Sequence, residues 1–354
     1  MEKHQANDFF DIGDGDGYDA VVVGSGYGGS VAACRMSMAG FKVCLLEKGH
    51  KWEAKDFPTD SFKICSAVRL ENKNLGINIG PKDALFQVHI QEDSLAAMAC
   101  GLGGGSLVNA GVMIPTTVRA RRDPKWPEAW EKDWDRYEAS TSDMLRVQSS
   151  PMMFQNSKIM QEVIDKEFDK KPLKLSINFD MEESRKSPKP GNCLACGNCL
   201  AGCPYNAKNS TDRTYLVSAI ETGCTIKTEC EVQYVVRNDI CKEEGVLKAR
   251  SRRRWLVFLS EFDYVTSDIV ILSGGVFGTA KILFQSRLRG LSVSEKLGSG
   301  LSCNGNNVAY LAGSSAPLNA SGLNEMQFSE LPFQERPGPS ISSSYTSSLG
   351  FTIQ

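Results

Sequence analysis

The period of the hydrophobic positions changes several times along this chain, and each change marks an expected element. Ala20 to Val23 is an unbroken apolar, mostly β-branched run, the pattern of a strand covered on both faces, and Lys42 to Leu46 repeats it. Between them lie a glycine-rich turn and a small-residue helical stretch. From His50 to Asp93 the pattern is mixed, and the short runs Phe62 to Val68 and Leu85 to Ile90 predict loop and short-strand material. Trp126, Trp130 and Trp134 recur at every fourth position into a helix expected over 128 to 144, which predicts a core packing stripe. A second amphipathic helix is expected over Ser157 to Phe168, and a third over Asp212 to Glu221 with Asp212 near its start. Thr225 to Val236 alternates as a strand does. Gly245 to Arg250 and Trp255 to Tyr264 extend it into an antiparallel meander that feeds Asp268 to Leu272, a buried, parallel-type strand. Ser273 to Gly278 is then a second glycine turn, with Thr279 to Gln285 as its helix, and from Pro317 onward Ser, Gly and Pro dominate.

A strand, glycine turn and helix occurring twice, with most of the chain between, implies an α/β fold. The sheet is of the doubly wound, three-layer Rossmann type and is assembled from discontinuous segments. At 354 residues more than one core is expected. The division expected is a disordered tail over 1–17, a first nucleotide-binding part over 18–122 and a helical, Cys-rich insertion over 123–215. A second nucleotide-binding part over 216–290 and an incomplete α+β substrate domain over 291–354 complete it. With Lys+Arg 40 against Asp+Glu 42 there is no case for a nucleic-acid partner, and the basic cluster Arg119 to Arg122 reads as a solvated face. No apolar run reaches the ~20 residues of a membrane span, and the first residues lack a signal-peptide core, so cytoplasmic is the default expectation.

The candidate chemistry begins at Gly24-Ser25-Gly26-Tyr27-Gly28-Gly29, a G-x-G-x-x-G between strand and helix. Gly24 permits the tight turn, Gly26 lets backbone approach a pyrophosphate at the helix N-terminus, and Gly29 lets helix and strand pack closely. Glu47, at the end of the next strand, stands at the offset of an acid that meets the adenosine ribose; NADP is disfavoured, while FAD and NAD both remain open. A second glycine-rich stretch, Ala99 to Gly111, holds Gly103, Gly104 and Gly105 followed by Ser106, Asn109, Ala110 and Gly111. So many glycines suit neither helix nor strand, and predict a second close approach to the cofactor with Ser106 and Asn109 as hydrogen-bonding groups.

Together these segments resemble the glucose-methanol-choline (GMC) flavoprotein oxidoreductases, in their cholesterol oxidase-like branch, over about residues 18–310. The fingerprint at Gly24 to Gly29 with Glu47, the first signature at Ala99 to Asn109, the segment Cys203 to Leu216, the turn and helix at Gly275 to Leu283, and Asn304-Gly305-Asn306 carry the likeness. Met113 stands where the family usually has an aromatic residue or Ala. The resemblance implies FAD, with Gly24, Gly26, Tyr27, Gly28 and Gly29 at its pyrophosphate and Glu47 at its ribose. Gly103 to Ser106 and Asn109 to Gly111 would lie along pyrophosphate and isoalloxazine, Val232 at the adenine, and Gly275 in the second turn. It implies oxidation of a CH–OH group of a sterol or long-chain alcohol by hydride transfer to flavin, with oxygen or another acceptor taking the electrons. The family's catalytic His lies near the end of a longer chain; His4, His50 and His89 are not in that place, so the chain reads as C-terminally truncated and no catalytic residue is assigned. A non-catalytic FAD-binding fragment and an electron-transfer flavoprotein are the alternatives.

Cys193-x2-Cys196-x2-Cys199-x3-Cys203-Pro204 matches the ferredoxin run that holds a [4Fe–4S] cluster. The fourth Cys of such a run normally serves a second cluster, so one cluster here needs Cys203 in an unusual loop or a distant thiol such as Cys224 or Cys230. Zinc on the same thiolates and a metal-free loop are the other two readings.

Overall fold

The computed structural model describes residues 17–72, 74–92, 94–164, 173–179, 191–238, 253–302, 306–309, 313, 330–347 and 351–354. The expected tail up to residue 16, the strand over Gly245 to Arg250, residues 165–168 of the second expected helix, the Asn304-Gly305 turn and residues 317–329 lie outside these. The chain runs β1 (Tyr18–Val23), α1 (Tyr27–Met38), β2 (Val43–Leu46), α2 (Ser61–Ser66), β3 (Val68–Asn72), β4 (Ile77–Ile79), β5 (Phe86–Ile90) and β6 (Leu95–Ala99). There follow α3 (Val118–Arg121), α4 (Glu128–Met144), β7 (Gln148–Ser149), α5 (Gln155–Val163), β8 (Lys174–Leu175), α6 (Tyr215–Glu221) and β9 (Thr225–Lys227). Then come β10 (Tyr234–Arg237), β11 (Trp255–Phe258), β12 (Tyr264–Leu272) and α7 (Gly275–Arg287). Contacts divide the chain into two compact units, Met1–His50 with Leu216–Asn306 and Lys51–Tyr215 with Asn307–Gln354.

The first unit is a six-stranded sheet in the order β10-β11-β12-β1-β2-β9. β1 pairs in parallel with β12 on one side and with β2 on the other, and β2 pairs in parallel with β9. This is the Rossmann-type α/β sheet, built from two separated stretches of chain. Ala20, Val21, Val22, Cys44 and Leu45 are fully buried, as continuous apolar runs require. Ala33 and Cys34 of α1 are buried as well, and a cluster of Val21, Val23, Cys44 and Leu46 packs with Val232, Val235, Val257, Val265 and Ile282. Each such side chain contributes about 1.5–3 kcal/mol of transfer free energy. Burial pushes the Cys44 thiol up to about 12.

Two expectations in this unit need correction. Thr225 to Val236 is not one strand: Thr225–Lys227 adds to β2 in parallel, while Tyr234–Arg237 pairs antiparallel with β11. Glu229, at φ 58°, turns the chain between them, and Val232 sits in this crossing, outside any strand. β12 is longer than Asp268 to Leu272 because it serves two partners. Its first residues pair antiparallel with β11 and its last in parallel with β1, and Ile269, expected at a buried position, is 39% exposed.

In the second unit, β4-β3-β5-β6 form a small mixed sheet. The run Phe62 to Val68 is largely helical: α2 opens at Asp60, whose Oδ1 accepts the Lys63 N–H at 2.9 Å, and Phe62 is exposed. The helix over 128–144 forms as expected, but the tryptophan stripe is not core. Trp126 and Trp130 stack at 5.5 Å and are about half exposed, and no residue of α4 is buried. Fourfold spacing defines a face and says nothing of what covers it. The basic cluster is also more than a solvated face, since Arg121 pairs with Asp135 and Glu138 of α4 and Arg122 with Glu131. The helix expected from Asp212 begins only at Tyr215, after a 3-10 turn at Thr211–Arg213. Among the described residues no helix is long and apolar enough to cross a membrane.

Candidate functional site

The connection leaves β1 toward β2 on one side, and the chain later returns to the other side of β1 as β12. The direction of winding therefore reverses between β1 and β12, and a crevice opens beyond the carboxyl ends of strands at such a point. Both glycine turns stand there. The Ser273 N–H donates to Val23 O at 2.7 Å, and the Gly24 N–H donates to Leu46 O at 2.8 Å. Gly24 has φ +94°, and a Cβ on it would lie 2.4 Å from Ser273 O. A Cβ on Gly29 would lie 1.9 Å from Gly24 O, so close packing of helix against turn requires glycine there.

Gly26 differs from both. Its φ of −62° suits any residue, and a Cβ on it meets nothing within 4 Å. Neither backbone conformation nor packing in this unit demands glycine, so its bare backbone faces open space. Gly26 caps α1, which carries no side-chain cap and no acidic residue in its first turn, so the positive end of a twelve-residue helix faces the same opening. Tyr27 and Gly28 are exposed beside it. Gly275, at φ +71°, opens α7 and is likewise surrounded by open space.

Glu47 is buried, at 7% exposure, and is held by the chain itself. Its Oε2 accepts the Ser25 N–H at 2.9 Å and the Ser25 hydroxyl at 2.5 Å, and its Oε1 accepts the Gly49 N–H at 2.9 Å. The carboxylate therefore braces the glycine turn as well as ending β2, a second role that its sequence offset does not reveal. Val232 packs its side chain into the core beside Val23 and Leu46.

Gly103 to Gly111 belong to the second unit. Here Gly103 at φ +111° and Gly104 at +52° open a 3-10 turn. The Ser106 hydroxyl is fully buried; it donates to Gly103 O at 2.7 Å and accepts the Thr211 N–H at 3.0 Å. That hydroxyl closes the turn and links it to Thr211. Asn109 Oδ1 accepts the Gly111 N–H at 3.1 Å, Gly111 has φ +72°, and Ala110 is buried. Gly105 repeats the situation of Gly26: it is exposed, and a Cβ on it meets nothing within 4 Å.

Lys208 is a buried lysine that charge patterning does not single out. It is 3% exposed, and its Nζ donates to Leu107 O and Asn109 O at 2.7 Å each and to Cys199 O at 2.9 Å. All three ammonium protons are satisfied, and burial pushes the group down to about 8. Lys208 thereby ties the glycine-rich segment to the cysteine loop. Nearby, burial raises the Asp212 carboxyl, which accepts the Ser210 hydroxyl.

The cysteine loop is brought together around one small cavity of about 20 Å³, lined by Cys193, Cys196, Cys199 and Cys203. Burial raises the first three thiols, Cys196 to about 12. Among the described residues no three His, Cys, Asp or Glu side chains form a group able to hold a metal ion.

Comparison with known proteins gives this geometry a context. Residues 18–303 match the family model described as GMC oxidoreductase. The chain is 26% identical to a cholesterol oxidase of Acinetobacter baumannii over 323 residues, which covers 82% of this chain and 55% of that protein. It is 25% identical to a cholesterol oxidase of Mycobacterium tuberculosis over 301 residues, 79% of this chain and 50% of the other. A long-chain-alcohol oxidase of Arabidopsis thaliana is 28% identical over 290 residues, 79% of this chain and 35% of the other. The chain thus spans about half the length of the cholesterol oxidases it matches. With the family model matched along residues 18–303, the chain belongs to the GMC oxidoreductase family.

Proposed function

We propose that this chain holds FAD for the oxidation of a CH–OH group, with its dinucleotide seated at the glycine turn of the first unit. The observation that carries the reading is Gly26, a glycine required by neither its φ nor its neighbours, at an uncapped helix N-terminus beside the point where the sheet reverses its winding. The family binds FAD, and the residues present fit it. Gly24 and Gly29 shape the turn, the first-turn N–H groups of α1 meet the pyrophosphate, and Glu47, fixed by Ser25 and Gly49, keeps lone pairs for the ribose hydroxyls. FAD, when bound, supplies the acceptor for a hydride from the alcohol carbon. By family resemblance we assign Gly103 to Gly111 to cofactor binding, and the open backbone at Gly105 supports that assignment.

The substrate class we propose is a hydrophobic alcohol, a sterol or long-chain alcohol, with oxygen or another acceptor reoxidising the flavin. Two kinds of support exist. The relatives named above are cholesterol and long-chain-alcohol oxidases. Within the second unit, an open cavity of about 480 Å³ is lined by Ile114, Trp130, Trp134 and Val147 and also by Thr116, Glu138, Thr141 and Lys174, so it offers an alcohol both apolar and hydrogen-bonding walls. Titration of the purified chain with FAD tests the cofactor: saturable binding that weakens in Glu47→Ala supports the reading, and binding unchanged in that variant removes Glu47 from the ribose.

A further inference from the structure

Residues 208–212 close against the glycine-rich turn of the second unit, and their contacts fall mainly on its backbone carbonyls. The Asn178 N–H donates to Ala207 O and the Asn209 N–H to Ser176 O, at 2.8 Å each, so Lys208 stands opposite Ile177 in a short antiparallel bridge. From there its Nζ reaches Leu107 O, Asn109 O and Cys199 O. Three residues on, the Thr211 hydroxyl donates to Gly103 O at 3.2 Å, and the Thr211 N–H donates to the Ser106 hydroxyl. Both Lys208 and Thr211 are buried, so the carbonyls of Gly103, Leu107 and Asn109 are held toward the interior, while Gly105 between them is exposed with open space around it. We propose that Lys208 and Thr211 are positioning residues for the cofactor, fixing these carbonyls inward so that the turn presents its bare backbone at Gly105 to the flavin nucleotide. The proposal rests on the assignment of Gly103 to Gly111 to cofactor binding.

Three arguments carry this beyond a structural lysine. First, Gly101, Gly103, Gly104 and Gly105 leave the unclamped turn with more conformations than any other stretch of its length, and the cost of ordering them would be subtracted from ligand binding. Bonds to three of its carbonyls remove that freedom before the ligand arrives. Second, a carbonyl oxygen is the negative end of the peptide dipole and repels a phosphate, whereas an ammonium behind the turn attracts it. Asp212, the carboxylate of the same segment, accepts the Ser210 hydroxyl, and burial raises it toward its neutral form, so it offsets little of that charge. Third, an ammonium is costly to withdraw from water, and a side chain needed only to fill this space could be apolar. The cysteine loop gains a part in this arrangement. It supplies the third acceptor, Cys199 O, and packs so closely that its cavity of about 20 Å³ has room for about one water.

The test compares FAD and AMP affinities of the full chain with those of Lys208→Met, Thr211→Val and Leu145→Ala, the last a fully buried side chain after α4 that controls for lost stability alone. AMP carries the adenosine and one phosphate but lacks the isoalloxazine, which the family resemblance lays along this turn. Lys208→Met should weaken FAD binding at least about tenfold and Thr211→Val about threefold, each leaving AMP affinity within about twofold of wild type, and Leu145→Ala should leave both affinities within about twofold. FAD binding by Lys208→Met no weaker than by Leu145→Ala would overturn the proposal. Equal losses of FAD and AMP affinity, the mark of general loosening, would overturn it too. Should Lys208→Met fail to fold, Thr211→Val is judged by the same two criteria. A wild-type chain that binds no FAD overturns the cofactor reading and this proposal together, whereas full FAD affinity in the wild type and in both clamp variants overturns the proposal alone.

Discussion

Gly26 and Gly29 lie three positions apart in one turn, yet the structure assigns them different reasons for being glycine, and two alanine substitutions separate those reasons. A Cβ at position 29 would lie 1.9 Å from Gly24 O and 3.0 Å from Gly24 C. Real Cβ contacts essentially never fall below 3.0 Å, so helix and turn must separate by about 1 Å, against backbone atoms that cannot rotate away. Overpacking of that kind costs about 1–3 kcal/mol, and the upper end applies because both partners are main chain. At position 26 the added methyl touches nothing and φ is already −62°, so Gly26→Ala should change stability by no more than about 0.5 kcal/mol, or raise it slightly by restricting the unfolded chain. Its effect should fall on the ligand instead. A methyl standing where a pyrophosphate must approach should weaken FAD binding at least tenfold, about 1.4 kcal/mol. Urea unfolding without added flavin reads the first quantity, and fluorescence titration with FAD reads the second. Full FAD affinity in Gly26→Ala, or destabilisation equal to that of Gly29→Ala, would refute the reasoning.

Other outcomes follow from the same geometry. Glu47→Gln places an amide NH2 against one of two N–H donors, Ser25 or Gly49, and should lower stability by about 1–3 kcal/mol; an unchanged denaturation midpoint would mean the brace is dispensable. Lys208→Met leaves three carbonyls without their buried donor, and a loss of about 1–3 kcal/mol is expected after allowing for relief of the ammonium's desolvation. Because burial holds the Cys44 thiol up at about 12, only about a thousandth of it is ionised at pH 9, so iodoacetamide should modify exposed Cys65 long before Cys44 in the folded protein. Comparable rates would show that the sheet opens readily. Binding of a long-chain alcohol should shift tryptophan emission to the blue by excluding water from Trp130 and Trp134, and Trp130→Ala should weaken that binding several-fold without altering FAD affinity.

The parts of the fold legible in the sequence are those fixed by local constraint. Unbroken apolar runs identify β1 and β2 because only strands buried on both faces tolerate them, and Gly24, Gly26 and Gly29 announce a turn at which backbone must come close. What depends on partners far along the chain was not legible. Alternation over Thr225 to Val236 is compatible with strand throughout, but the pattern carries no record that its two ends pair with different neighbours. Fourfold spacing of Trp126, Trp130 and Trp134 predicts a face correctly and its burial wrongly, since Trp130 borders a cavity. Ser106 looks the same in sequence whether its hydroxyl meets a ligand or Thr211. Lys208 lies in the segment Cys203 to Leu216 that carries the family likeness, but nothing in the pattern of charges states that this lysine is buried. Convergence of Cys203 with the other cysteines depends on the positive φ at Gly202, which cysteine spacing alone does not state.

The proposed role of the two adjacent glycine turns of the segmented sheet is to hold FAD. Its most direct test is the flavin content of the purified chain, released by heat denaturation and quantified by fluorescence, before and after incubation with FAD. The account predicts stoichiometry approaching one FAD per chain in at least one of the two preparations, with the Gly26→Ala variant well below it. A chain that is folded by circular dichroism yet retains no FAD after incubation would contradict it.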